Sequence, residues 1–152
     1  MELIEKDLYL GSLSLEKGIL LPIRRKQYMA FGYIFIGLSA VIAIFQLSLA
    51  LGAPLGEFTL GGKFPGKLPP KIRLAAIFQI IILVIFVITV ASKSGIAFLS
   101  FYNLVKIAIW AVFAFFILGS LLNFSSPSKK ERLVMGPLNL VALICTFIVA
   151  IT

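Results

Sequence analysis

The chain has 152 residues, 61% of them hydrophobic and 13% charged, with a mean hydropathy of +1.10 and a formal net charge of +8. Soluble domains carry charge on roughly a quarter of their residues, so this composition excludes an ordinary soluble domain and identifies an integral membrane protein. With no histidine and one cysteine, the chain has no Cys/His zinc site, no histidine-based triad, no intramolecular disulfide and no CxxC redox pair. No metal or other cofactor is expected.

From Met1 to Leu21 four acids and two lysines mix with scattered leucines. A basic region followed directly by an apolar core is missing, so this is not a secretory signal peptide. Residues 1–26 read as an N-terminal tail lying at the bilayer. Pro22 is expected to break any earlier helix, and Arg24, Arg25 and Lys26 stop at the headgroups. Residues 27–152 then form the membrane domain, with spans at about 27–51, 74–91, 97–122 and 133–151. Runs of this kind match a hydrocarbon core of ~30 Å. The predicted fold is all-α, a polytopic antiparallel bundle of four transmembrane helices with both termini on one side.

In the first span Gly32, Ser39, Ala43, Gln46 and Ala50 share one face, the expected inward seam, because small residues let helices approach where no hydrophobic drive exists. Between the first two spans lies LGAPLGEFTLGGKFPGKLPPKIR, residues 51–73. Its prolines cannot continue a helix, and its glycines permit backbone conformations with positive φ. It reads as a structured turn region at the membrane surface or a shallow re-entrant segment.

The second span places Gln79 with Ala75, Ala76 and Leu83. The short connector Ser92–Gly95 makes spans two and three antiparallel neighbours. Span three carries a broad small-residue face of Ala97, Ser100, Ala108, Ala111 and Ala114, with Lys106 opposite, beside Tyr102, Asn103 and Trp110. Ser128-Lys129-Lys130-Glu131 has capping-box spacing, so the last helix can start just after Ser128. Gly136-Pro137 should kink it or mark a second start. Cys145, in an apolar run, reads as buried filler.

The cations near the span ends divide into Lys17, Arg24, Arg25, Lys26 and Lys93 on the terminal side against Lys63, Lys67, Lys71, Arg73, Lys129, Lys130 and Arg132 on the other. The positive-inside rule then favours cytoplasmic loops, while a charged tail of this length argues for the opposite orientation. Because the cations flank apolar runs, they meet headgroups, and no nucleic acid partner is expected.

Antiparallel geometry puts several polar groups at one depth. Gln46 lies about five residues before the end of the first span and Gln79 about five after the start of the second, so both sit ~8 Å below the same surface. Ser120 and Asn123 close the third span there, Asn139 lies in the first turns of the fourth, and Glu57, Arg73, Glu131 and Arg132 belong to the loops above. Gly61 and Gly62 let the capping loop turn back over this end and place Glu57 near a loop cation, with Arg73 or Arg132 as its expected partner. One reading is structural, with amides paired across helices at about 0.6 kcal/mol each. The other is a ligand-binding site for an anionic headgroup or metabolite, with loop N–H groups and Arg73 or Arg132 as donors. Two carboxylates without a histidine or metal cluster are a thin basis for acid/base catalysis, so the protein reads as a non-enzyme. Lys106, the one intramembrane charge, either has a partner or cavity or snorkels to the interface.

Residues 50–73 and the stretch NFSSPSKKERLVMGP, Asn123 to Pro137, resemble a family of small prokaryotic integral membrane proteins with four spans. In it a Gly-Ala-Pro loop, a Gly-Gly pair and a Leu-Pro-x-x-x-Arg segment join the first two spans, and an Asn-x-x-Ser-x-Ser-x-x-Glu-Arg segment precedes the last. The resemblance implies a multipass cell-membrane protein and brings no activity with it. The function expected is a non-catalytic module that binds lipid, a partner membrane protein or its own copies, with its polar site capped by the 51–73 loop. The alternative is a small transporter or channel subunit acting as an oligomer.

Overall fold

The computed structural model describes residues 2–98, 100 and 102–152, with side chains described from residue 26 onward except that of Tyr102. Four helices account for most of them: α1 (Glu2–Ala50), α2 (Pro70–Lys93), α3 (Tyr102–Phe124) and α4 (Lys129–Ala150). Each contains a stretch long and apolar enough to cross a bilayer, namely Lys26–Ala50, Pro70–Lys93, Asn103–Phe124 and Lys129–Ala150. The chain is an all-α membrane protein. α1 packs on α2 and α4, and α3 packs on α4 and α2, so the four helices form a ring closed by α4 against α1, with little contact across its diagonals.

Helix boundaries depart from the sequence expectation in informative ways. α1 runs unbroken through Pro22, so the proline costs the helix a hydrogen bond without ending it. The spanning part still begins at Lys26. α2 starts at Pro70, with Pro69 as its N-cap residue, four residues before the expected start at Leu74. Prolines that terminate a preceding helix equally pre-set φ for the first turn of a following one, and their missing N–H is not needed there. α3 starts at Tyr102 rather than near Ala97, so the α2–α3 connection is longer than Ser92–Gly95. Ser92 Oγ donates to the Phe98 carbonyl (2.8 Å), and Phe98 has φ +56°. α4 begins just after Ser128, as the capping pattern predicts, and continues through Pro137 as one helix.

The core is built from seven-residue spacings. On α1 the buried positions are Gly32, Phe35, Ser39, Ile42, Gln46 and Leu49, alternate steps of three and four that keep one stripe facing neighbours. The small and polar half of that stripe was expected; the large apolar half interleaves with it. Gly32 allows α1 to approach the α2–α3 connection, since a methyl there would lie 2.6 Å from Ser94 Oγ and the Ile96 side chain. On α3 the buried stripe is Val105, Ile109, Val112, Phe116 and Ser120, whereas Ala111 and Ala114 are exposed. The expected small-residue face of α3 is therefore not its packing face. Lipid is as apolar as leucine, so what selects the buried face is shape, and here larger side chains fill the gap. Phe116 stacks edge-on against Phe35 (5.5 Å between centroids), joining α3 to α1 across the bundle. Cys145 is buried in the same cluster.

Candidate functional site

The segment between α1 and α2 folds into an ordered cap. Two short 3-10 turns, Gly56–Phe58 and Leu60–Gly62, supply its frame. The Gly56 N–H donates to the Gly66 carbonyl (2.9 Å), closing the loop on itself. Leu68 is buried against Leu49 and Ala76, with Phe45, Leu55, Phe64 and Ile72 around it, so an apolar plug anchors the loop in the bundle end. Gly61 and Gly62 have φ of +69° and +71°, the left-handed region that favours glycine. A side chain at either would also press on Pro127 or Ser128 of the α3–α4 loop (3.1 Å).

Those contacts hold the cap to α4 through a short polar relay. Ser128 Oγ accepts from the Glu131 N–H (3.3 Å) and donates to the Glu57 carbonyl (2.5 Å). Its own N–H donates to Ser126 Oγ (3.1 Å), which donates in turn to Glu131 Oε2 (2.6 Å). The same Oε2 accepts the Gly61 N–H at 2.8 Å. In an ordinary capping box the Glu would reach back to the N-cap N–H. Here Ser126 takes that position, which frees Glu131 to fasten a loop 70 residues away in sequence. Glu131 is 8% exposed.

The cations of this end are placed elsewhere than expected. Glu57 pairs with Lys130, not with Arg73 or Arg132. The Arg73 Nε donates to the Leu68 carbonyl (2.8 Å), its guanidinium packed on Gly52. Arg132 Nη1 donates to the Ser126 carbonyl (3.0 Å). Each arginine sits one turn inside a helix start, where a nearby carbonyl is closer than a carboxylate in the opposite loop. Both serve the loop backbone, and neither lines the space beneath the cap.

That space is a cavity of about 90 Å³, room for several waters or one small polar group. All four helices and the cap contribute. Gln46, Gln79, Asn123, Glu131 and Asn139 are its polar lining, with Thr59 from the cap. Five of the residues singled out in the sequence thus meet in one place, four of them amides. Gln46 is buried and Gln79 is exposed, and no hydrogen bond joins them. The Asn139 amide donates to the Met135 carbonyl (3.0 Å). Gly61 and Gly62 support the site from the cap, while Glu57, Arg73 and Arg132 stand outside it.

Sequence reading missed the aromatic wall. Phe45, Phe58, Phe86, Phe115 and Phe116 line the same cavity, and Phe86 meets Phe115 edge-on at 4.9 Å, closing the α2–α3 seam below it. Fourteen phenylalanines in an apolar chain give no signal for which of them face inward. The exposed lining residues are Gln79 on α2 and Phe115 on α3, so the lining reaches the bundle surface on that side. Ser120, expected in this polar layer, is buried on α3, and its Oγ has no hydrogen-bond partner among the described residues.

Lys106 belongs to the opposite end. It is one turn inside α3 and exposed, and it lines an open depression with Lys93, Trp110 and Thr152. This is the position from which a lysine reaches the interface.

No family model, curated protein or solved structure matches the chain.

Proposed function

We propose that this protein is a non-catalytic membrane module whose capped cavity binds the polar group of a lipid or of a membrane-soluble partner. The proposal also places the chain among the small prokaryotic multipass proteins of the cell membrane that its loop motifs resemble. One observation carries the functional reading: amides and a carboxylate from all four helices converge beneath an ordered loop, in a cavity whose lining reaches the bundle surface at Gln79 of α2 and Phe115 of α3. A bundle that needed only to be stable in lipid would fill such a space with apolar side chains, because buried polar atoms without partners are costly there. An amphiphile entering between α2 and α3 leaves its chain in the bilayer. Binding needs no proton transfer or bond cleavage, in keeping with a site that has one carboxylate and no second titratable group beside it.

The test is extraction in native-membrane nanodiscs followed by mass spectrometry of whatever copurifies. Wild-type protein is expected to retain a species enriched over bulk lipid. Leu83→Trp, which fills the cavity from α2 at a site 6% exposed, is expected to lose it. Equal retention by the two proteins would remove the cavity from the account.

A further inference from the structure

Glu131 is buried, yet among the described residues it has no ion-pair partner: its neighbour Lys130 is engaged with Glu57, and Arg132 is held on the Ser126 carbonyl. Both hydrogen bonds it accepts from the described residues fall on Oε2, and none of these residues donates to Oε1. A buried carboxylate without a counter-charge is expensive unless something positive or strongly donating joins it. In a chain with 14 lysines and arginines against six acids, a cation to neutralise it was abundantly available, and the lining contains none. The rest of the lining completes the pattern. Five phenylalanine rings line the space, and aromatic faces attract ammonium ions within ~6 Å. Four amide side chains offer carbonyl acceptors.

From this we propose that the cavity is a cation site, and that its ligand is the ammonium group of an amphiphilic amine entering through the α2–α3 seam. The inference rests on the cavity being a binding site, as argued above, and specifies what enters it. Ammonium donors meet Glu131 Oε1 and the amide carbonyls, the rings enclose the adjoining carbons, and the chain stays in lipid. Anionic headgroups are excluded by the same carboxylate, which reverses the expectation drawn from the cations of the surrounding loops. Two sources supply this chemistry, an aminophospholipid headgroup and a free long-chain amine.

Wild-type full-length protein in dodecyl maltoside is treated with dicyclohexylcarbodiimide, and the adduct at Glu131 is quantified by peptide mass spectrometry. Dodecylammonium at pH 7 is expected to suppress labelling at least tenfold, with dodecyl sulfate at equal concentration doing so little. Two nanodisc compositions separate the sources. Suppression in phosphatidylethanolamine/phosphatidylglycerol discs but not in pure phosphatidylglycerol discs assigns the lipid headgroup; suppression only by added dodecylammonium assigns a free amine. Equal protection by dodecyl sulfate would overturn the ammonium assignment while leaving an amphiphile-binding cavity. No protection by any amphiphile would overturn both. Because Glu131 also fastens the cap, direct affinity is compared in Glu57→Gln, expected to bind dodecylammonium as wild type does, and in Glu131→Gln, expected to bind at least tenfold more weakly. Undiminished binding by a folded Glu131→Gln would contradict the proposal, and if that variant does not fold, the wild-type labelling decides alone.

Discussion

At Gly56 an added Cβ would collide with the Phe64 carbonyl oxygen and crowd that of Gly66. Gly56→Ala therefore has to break the loop closure, and we expect it to lower stability by roughly 2–4 kcal/mol in detergent melts. Gly37 supplies the contrast, lying within α1 with nothing within 4 Å of its Cβ position. Gly37→Ala should be neutral or stabilising by up to ~1 kcal/mol. Gly62→Val, at φ +71°, should cost about 1–3 kcal/mol through backbone strain, more than Lys63→Ala. The Glu57–Lys130 pair has side chains 41% and 57% exposed, so Glu57→Gln should change stability by no more than about 1 kcal/mol. Ser120→Ala removes a buried hydroxyl without a partner and should be neutral or stabilising by up to ~1 kcal/mol. A clear loss in that melt would mean the hydroxyl is bonded in the membrane.

Among the elements, the glutamines of α1 and α2 make the sharpest comparison. Gln46 is buried between helices and Gln79 stands at the cavity mouth. Gln46→Leu should therefore destabilise the bundle or alter the cavity, whereas Gln79→Leu should be tolerated in stability while changing what enters. Thermal melts in parallel with the copurification assay separate the two effects. The seam of α1 was legible in sequence because small and polar residues are scarce there, and a step of seven between Gly32, Ser39 and Gln46 stands out. The inward face of α3 was not. Every turn of that helix offers both alanines and large apolar side chains, and the choice between them depends on the shape of the neighbours. The N-cap at Ser128 was legible because it is local chemistry. Glu131 gripping Gly61 was not, because a contact across 70 residues leaves no trace in local spacing. The same limit misassigned the partner of Glu57: equal charges in adjacent loops cannot be ranked without the path of the chain.

For the molecule as a whole, topology follows from four spans, with the cap and the α3–α4 loop on one side of the membrane. Single cysteines introduced at the exposed positions Lys26, Ser100, Lys67 and Lys129, in a Cys145→Ser background, should label as two groups. Lys26 is expected with Ser100, and Lys67 with Lys129. Any other grouping contradicts the bundle.

The central claim is that the loop after α1 is an ordered lid on a polar cavity, and hydrogen exchange of the full-length protein in nanodiscs tests it most directly. The Gly56, Gly61 and Gly62 N–H groups are bonded to the Gly66 carbonyl, the Glu131 carboxylate and the Thr59 carbonyl, so their amides should exchange slowly, at rates nearer those of the helices than of an open loop. In Glu131→Gln the Gly61 amide should lose protection most. Rapid exchange across the whole of residues 52–69 in the wild-type protein would contradict the account, leaving a solvated linker and a cavity with no roof.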